Sequence, residues 1–177
     1  MNLGLGPNAK HAAREFARAK FDGVVDKGGN DYMFHCDKVA KRVEHLGDDY
    51  YVVGMLHDVF EDCYKREDGK CYWSEFERDL KEAGVVSGIH NVPVLHAIDR
   101  LSKRDGEDYF DYLNRVAIDR MALDVKIADL YDNMDIDRIP EEIRGPADYE
   151  RVGKYKMAIR YLRAMRDLRI NLGREDY

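Results

Sequence analysis

An all-α, single-domain helical bundle is the fold class this sequence predicts, and three observations predict it. Apolar residues recur at helical rather than strand spacing almost throughout. Turn-forming residues fall between those stretches rather than inside them. Finally, 177 residues with 45% hydrophobic content suffice to build one sizeable core, so residues 1–177 read as one domain.

The elements follow in order. Ala12, Phe16 and Ala19 on one side predict a first helix over 8–21. "DGVVDKGGNDY" then reads as a loop whose glycines suit tight turns or close backbone approach to a ligand. Val39, Ala40, Val43 and Leu46 mark a second helix over 35–46, with Gly47 as its stop. A third helix begins at Asp48 or Asp49 and carries "GMLHDVFED". "CYKREDGKCYW" reads as an exposed loop, after which Ser74 and Glu77 form a capping-box pattern for a helix ending near Gly84. Asn91 ahead of Val92-Pro93 is a cap for the next helix, since proline is tolerated in the first turn. Helices over 107–116, over "RMALDVKIADLYDNM" and over 148–170 complete seven or eight in all.

A formal charge of −6 disfavours duplex nucleic acid as a partner, because no concentrated basic surface is evident to neutralise phosphates. The N-terminus has no signal-peptide pattern and no apolar run approaches the roughly 18 residues of a membrane span, which predicts a soluble, cytoplasmic protein without a membrane partner. Cys36, Cys63 and Cys71 are an odd set without CxxC spacing and read as reduced thiols; Cys63 and Cys71 would pair only if the segment between them folded back.

Chemistry concentrates in "LHDVFED". On one continuous helix His57 stacks over Glu61, and Asp58 over both Glu61 and Asp62. His57 and Asp58, about 100° apart, let a nitrogen and an oxygen ligand converge on a divalent metal, with Glu61 and Asp62 one turn on to position or deprotonate an attacking water. The plain alternative is a surface His-Asp pair. Against it stand Met55, Leu56, Val59 and Phe60, which make the surroundings apolar and burial of unpartnered charges expensive. In "VKIADLYDNM", Asp129 sits among Val125, Ile127, Ala128 and Leu130, with Asn133 four positions on. Asp129 could complete a metal site or simply pair with Lys126 or an arginine. His11, His45, His90 and His96 show no ligand spacing and read as structural or exposed. Tyr109, Phe110 and Leu113 read as packing, although Tyr109 or Tyr112 could border a pocket. Lys103 and Arg104 read as surface charges unless a phosphate site faces them.

"DYMFHCDKVA", "LHDVFED" and "VKIADLYDNM", in that order, resemble the HD superfamily of metal-dependent phosphohydrolases. More narrowly they look like the RelA/SpoT-type hydrolase domains and their small standalone relatives, which hydrolyse (p)ppGpp; "LSKRDGEDYFDYLNRVA" also resembles a segment of the standalone members. The resemblance covers roughly residues 10–165 and implies an HD-type helical fold. It implies that His35, His57, Asp58 and Asp129 bind one metal, usually manganese. It further implies that Glu61 and Asp62 activate the water attacking a 3′-pyrophosphate linkage, giving GDP or GTP plus pyrophosphate. Asn133 would contact the nucleotide, Tyr32 would line its pocket, and Lys27 could meet phosphate.

The chain departs from the RelA/SpoT pattern at several points. Asp26 stands where those enzymes often carry an arginine that stacks on guanine, an exchange that removes the cation–π contact and repels nearby phosphate, although some small standalone members also have Asp-Lys there. Their "PY" is Asp31-Tyr32, Cys36 replaces a proline, and Asp135 replaces a basic residue. The rival expectations are an HD-type hydrolase of another nucleotide, mono- or triphosphate, and a noncatalytic nucleotide- or metal-binding module. Retention of both Glu61 and Asp62 argues against the module.

Overall fold

The computed structural model describes residues 4–64, 72–87 and 92–171. Its helices are α1 (Ala9–Lys20), α2 (Met33–Val43), α3 (Asp48–Leu56), α4 (Val59–Cys63), α5 (Trp73–Glu82), α6 (Val92–Leu101), α7 (Tyr109–Ala117), α8 (Arg120–Asn133) and α9 (Pro146–Asn171), with short 3₁₀ turns at Glu44–Leu46, Ile136–Arg138 and Glu141–Ile143. Among the described residues there is no β-strand, only isolated bridges between Leu5 and Val86 and between Val25 and Asp31. The all-α expectation therefore holds, with nine α-helices among the described residues where seven or eight were expected, the third expected helix being split at His57-Asp58.

The packing is built around α2, which lies against both α3 and α8. In turn α1 covers α3, α6 packs on α3 and α8, and α9 runs along α8 and α7. Phe76, Met55, Leu56, Leu80, Ile98 and Leu162 are among the large side chains with essentially no exposed surface. Each such side chain contributes roughly 1.5–3 kcal/mol by leaving water. The α2–α3 contact is unusually close at Gly54, where an added Cβ would lie 2.9 Å from the Ala40 Cα. Only glycine permits that approach, and it brings the C-terminal end of α3 beside His35 on α2.

Several local expectations are corrected. In α1 the buried face is Ala9, Ala13 and Ala17, while Ala12 and Phe16 flank it and Ala19 is exposed. Small alanines, not Phe16, give α1 its close seat on α3. Leu46 falls in the 3₁₀ turn after α2 and is 42% exposed rather than part of the core stripe. No capping box forms at Ser74: α5 begins at Trp73 with Tyr72 as its cap, so Ser74 lies inside the helix. Glu107 precedes α7, which is capped instead by the Asp108 carboxylate accepting from the amides of Phe110 and Asp111. The proposed Asn91 cap, His90 and Cys71 lie outside the described residues. Cys36 is a buried free thiol and Cys63 an exposed one; His11, His45 and His96 are exposed.

Candidate metal centre

Three elements supply the candidate centre: α2 brings His35, the turn between α3 and α4 brings His57 and Asp58, and α8 brings Asp129. The expected continuous helix through this motif is interrupted, with α3 ending at Leu56 and α4 starting at Val59. No glycine or proline breaks it. The interruption has a side-chain partner instead, since His57 Nδ1 lies 2.8 Å from the carbonyl oxygen of Gly54, at the end of α3 where carbonyls lose their helical partners. The consequence is that His57 and Asp58 project from a turn, not from stacked helical positions.

The four groups converge. His35 Nε2 and His57 Nε2 are 3.2 Å apart. Asp58 Oδ2 lies 3.0 Å from His57 Nε2 and 3.8 Å from His35 Nε2. Asp129 Oδ1 lies 3.3 Å from His35 Nε2 and 3.7 Å from His57 Nε2. His35, His57 and Asp58 each offer a ligand atom within 4.8 Å of the others. The side chains of His35, His57 and Asp129 keep only 2–3% of their surface exposed, whereas that of Asp58 keeps 26%, so the cluster opens to solvent at Asp58.

The far side of each imidazole fixes what the near side can do. A carbonyl oxygen can only accept, so His57 Nδ1 must carry the proton that it donates to Gly54. His35 Nδ1 lies 2.6 Å from Asp132 Oδ2, and Asp132 is held ionised: its burial works against the charge, but His35, Lys38 and Arg138 outweigh it and lower its pKa. His35 therefore donates from Nδ1 as well. Both Nε2 lone pairs are then turned on each other beside two carboxylates, an arrangement that needs a positive centre between them, either a proton or a cation. Without a metal, a proton fills that role: burial opposes charge on His57, but Asp58 and Asp129 raise its pKa to about 10. Reciprocally, burial opposes charge on Asp58, and His57 prevails and lowers it to about 2. Two imidazole nitrogens with two carboxylate oxygens, each imidazole oriented from behind, make a donor set that fits a divalent first-row metal such as manganese, iron or zinc.

The other predicted residues surround this cluster unevenly. Tyr32 Oη donates to Asp58 Oδ2 at 2.5 Å and its ring stands beside His35. Asp129 meets the imidazoles through Oδ1, and its Oδ2 accepts from Lys126 at 2.7 Å, the pairing that the sequence offered as the alternative to a metal site. Asn133 donates to Asp129 Oδ1 and accepts from Arg138 at 2.7 Å. Asp62 is exposed at the mouth, where desolvation and then the charges of Asp58 and Glu61 push its carboxyl up to about 6. Glu61 Oε2 accepts the backbone amide of Lys103 at 2.7 Å, which ties α4 to the α6–α7 loop. Lys27 does not reach the cluster: both oxygens of buried Asp148 hold its ammonium at 2.6 Å, at the edge of a small cleft it shares with Asn133, Arg151 and Tyr155.

Sequence reasoning missed Asp132, Arg138 and the Gly54 carbonyl. Asp132 carried a signal, since it lies three residues after Asp129 on the same helix. Arg138 carried none: it reaches back from a 3₁₀ turn to Asp132 at 3.1 Å and lies 3.9 Å from Asp26. Asp26 in turn accepts from the amides of Gly28 and Asn30 at 2.8 and 2.9 Å and so shapes its own loop. Finally, the buried Tyr109 hydroxyl has no hydrogen-bond partner among the described residues, and it feels the charges of Lys126 and Asp129.

No protein-family model matches this chain, and no curated protein does. Fold and site define it as an all-helical bundle with a largely buried cluster in which His35, His57 and Asp58 could hold a metal ion, with Asp129 beside them.

Proposed function

We propose that the chain is an HD-type metal-dependent phosphohydrolase acting on a nucleotide, with (p)ppGpp as its preferred substrate. The observation that supports this best is the approach of His35 Nε2 and His57 Nε2 to 3.2 Å beside Asp58 and Asp129, with each Nδ1 turned to an acceptor behind it. His35, His57, Asp58 and Asp129 would hold the metal, which when bound supplies Lewis acidity toward water and a phosphoryl oxygen. Asp132 and the Gly54 carbonyl orient the two imidazoles, and Tyr32 orients Asp58. Asp62, with its carboxyl pushed toward neutrality, is suited to take a proton from water at the solvent-facing side and return it. Water adds to the phosphorus on the 3′ oxygen, the bond from that phosphorus to the 3′ oxygen breaks, and the 3′ oxygen gains a proton. Lys126, Arg138 and Arg151 provide cationic surroundings for the remaining phosphates, and the unpartnered Tyr109 hydroxyl can donate to one of them.

A second reading, hydrolysis of another nucleotide, is favoured by one observation. Asp26 is committed to the Gly28 and Asn30 amides and offers no cation for stacking on guanine. A turnover panel of ppGpp, GTP, deoxynucleoside triphosphates and nucleoside monophosphates with added manganese separates the readings. Preference for ppGpp supports the first, and equal or better turnover of another nucleotide replaces it. An Asp62→Ala variant that keeps manganese binding and loses hydrolysis supports enzyme action; no turnover of any nucleotide by the parent supports a binding module.

A further inference from the structure

A second feature lies about 200° around α8 from Asp129, on the face that carries Asp124, Ile127 and Tyr131. There α2, α8 and α9 border an open cleft of roughly 520 Å³, within the volume range of small-molecule sites. Four guanidinium groups line it, those of Arg42, Arg120, Arg163 and Arg166, against the two carboxylates of Asp124 and Asp167. In a chain of net charge −6 this is a local reversal of sign. The carboxylates are spoken for by two of the four: Arg166 lies 3.4 Å from Asp124 and 3.9 Å from Asp167, and Arg120 lies 4.0 Å from Asp124.

Arg42 and Arg163 are different. Each guanidinium stands 5.4 Å from the centre of the Tyr131 ring, and neither has a carboxylate partner among the described residues. An aromatic ring stabilises a guanidinium through its flat face and leaves the in-plane N–H groups free, the geometry that accepts phosphate oxygens in pairs. Ile127 and Ala128 give the same cleft an apolar wall for a ring or a chain.

We propose that this cleft is a binding site for a small polyphosphorylated molecule, of nucleoside polyphosphate size, held by Arg42 and Arg163 beside Tyr131. It is separate from the metal centre and stands or falls independently of the hydrolase reading. Because Ile127 and Ala128 immediately precede Asp129, occupancy bears directly on the helix that supplies a donor to the centre.

The test is a calorimetric titration of the full chain, in EDTA, with inorganic tripolyphosphate and with GDP as probes. Parent binding that weakens about tenfold or more in Arg42→Ala/Arg163→Ala, and weakens further with added salt, supports the site. Manganese binding by the same double variant, measured separately, should equal the parent's. Methyl-labelled parent protein locates the probe without any substitution: shifts at Ile127 and Ile170 support the proposal. Shifts confined to Ile136 and Ile139, beside Lys27 and Arg151, overturn it, as does unchanged affinity in the folded double variant. A parent that sediments as a dimer, is unaffected by tripolyphosphate and dissociates on Arg163→Ala would assign the cleft to a second copy of the chain and also overturn it.

Discussion

Asp132 touches no predicted ligand position except through His35, which makes it the sharpest residue to change. Asp132→Ala removes the acceptor 2.6 Å from His35 Nδ1 and should weaken manganese binding about 10–100-fold, measured by calorimetry, with the helical circular dichroism preserved. An unchanged affinity would mean that His35 is oriented by packing alone. Titration of His57 gives a second expectation. Its pKa in the metal-free fold, about 10, stands above the ordinary 6.5, so its proton contributes stability that is fully present below 6.5 and is lost as pH rises through about 10. A bound cation replaces that proton. Manganese uptake should thus release protons at about pH 7.5, read as a heat that differs between buffers of different ionisation enthalpy, and affinity should rise with pH. The charges of His57-Asp58 and Asp129 drew attention because they sit in apolar stretches where charge demands compensation, whereas His35 was singled out only by the family resemblance. Arg138 was not legible, since it comes from the 3₁₀ turn just after α8, where no helical spacing links it to Asp132.

Among the elements, the α2–α3 contact and the α6–α7 junction carry the clearest consequences. Gly54→Ala puts a methyl 2.9 Å from the Ala40 Cα, so the helices must separate. The variant should lose about 1–3 kcal/mol of stability in denaturant unfolding and bind manganese more weakly, because His57 shifts away from His35. At the junction, Arg115 donates to both Glu107 oxygens at 2.8 Å and to the carbonyls of Asp99, Arg100 and Ser102. Arg115→Ala leaves these acceptors unpaired and should cost about 3 kcal/mol. The Arg115 hydrogen bonds lower Glu107 to about 2, so its contribution is present above the usual carboxylate range and fades as pH falls toward 2, a loss visible in acid melts of the parent and absent from Glu107→Gln. Helix positions were largely readable from spacing, but caps were not, since the Ser74–Glu77 box does not form and Asp108 caps α7. The break between α3 and α4 was not, because its cause is a side chain meeting a carbonyl rather than a breaker residue.

At the scale of the whole molecule, His35, His57-Asp58 and Asp129 come from distant parts of the chain, so an unfolded chain does not reproduce the cluster. Manganese at 100 times its dissociation constant should raise unfolding stability by about 2.7 kcal/mol, seen as a concentration-dependent melting temperature that His57→Ala abolishes. Net charge and helical class were open to sequence reading. The basic cleft behind α8 was not, because its arginines come from three separate helices and average out in a composition that is acidic overall. No described helix is long and apolar enough to cross a membrane. The unequal exposure of the four donors has one last implication: among the described residues it is the Asp58 side of the cluster that meets water, so whatever the cluster captures exchanges past that carboxylate. Tyr32 and Asp62 stand beside that carboxylate, so substitutions there should change how long a captured ion stays.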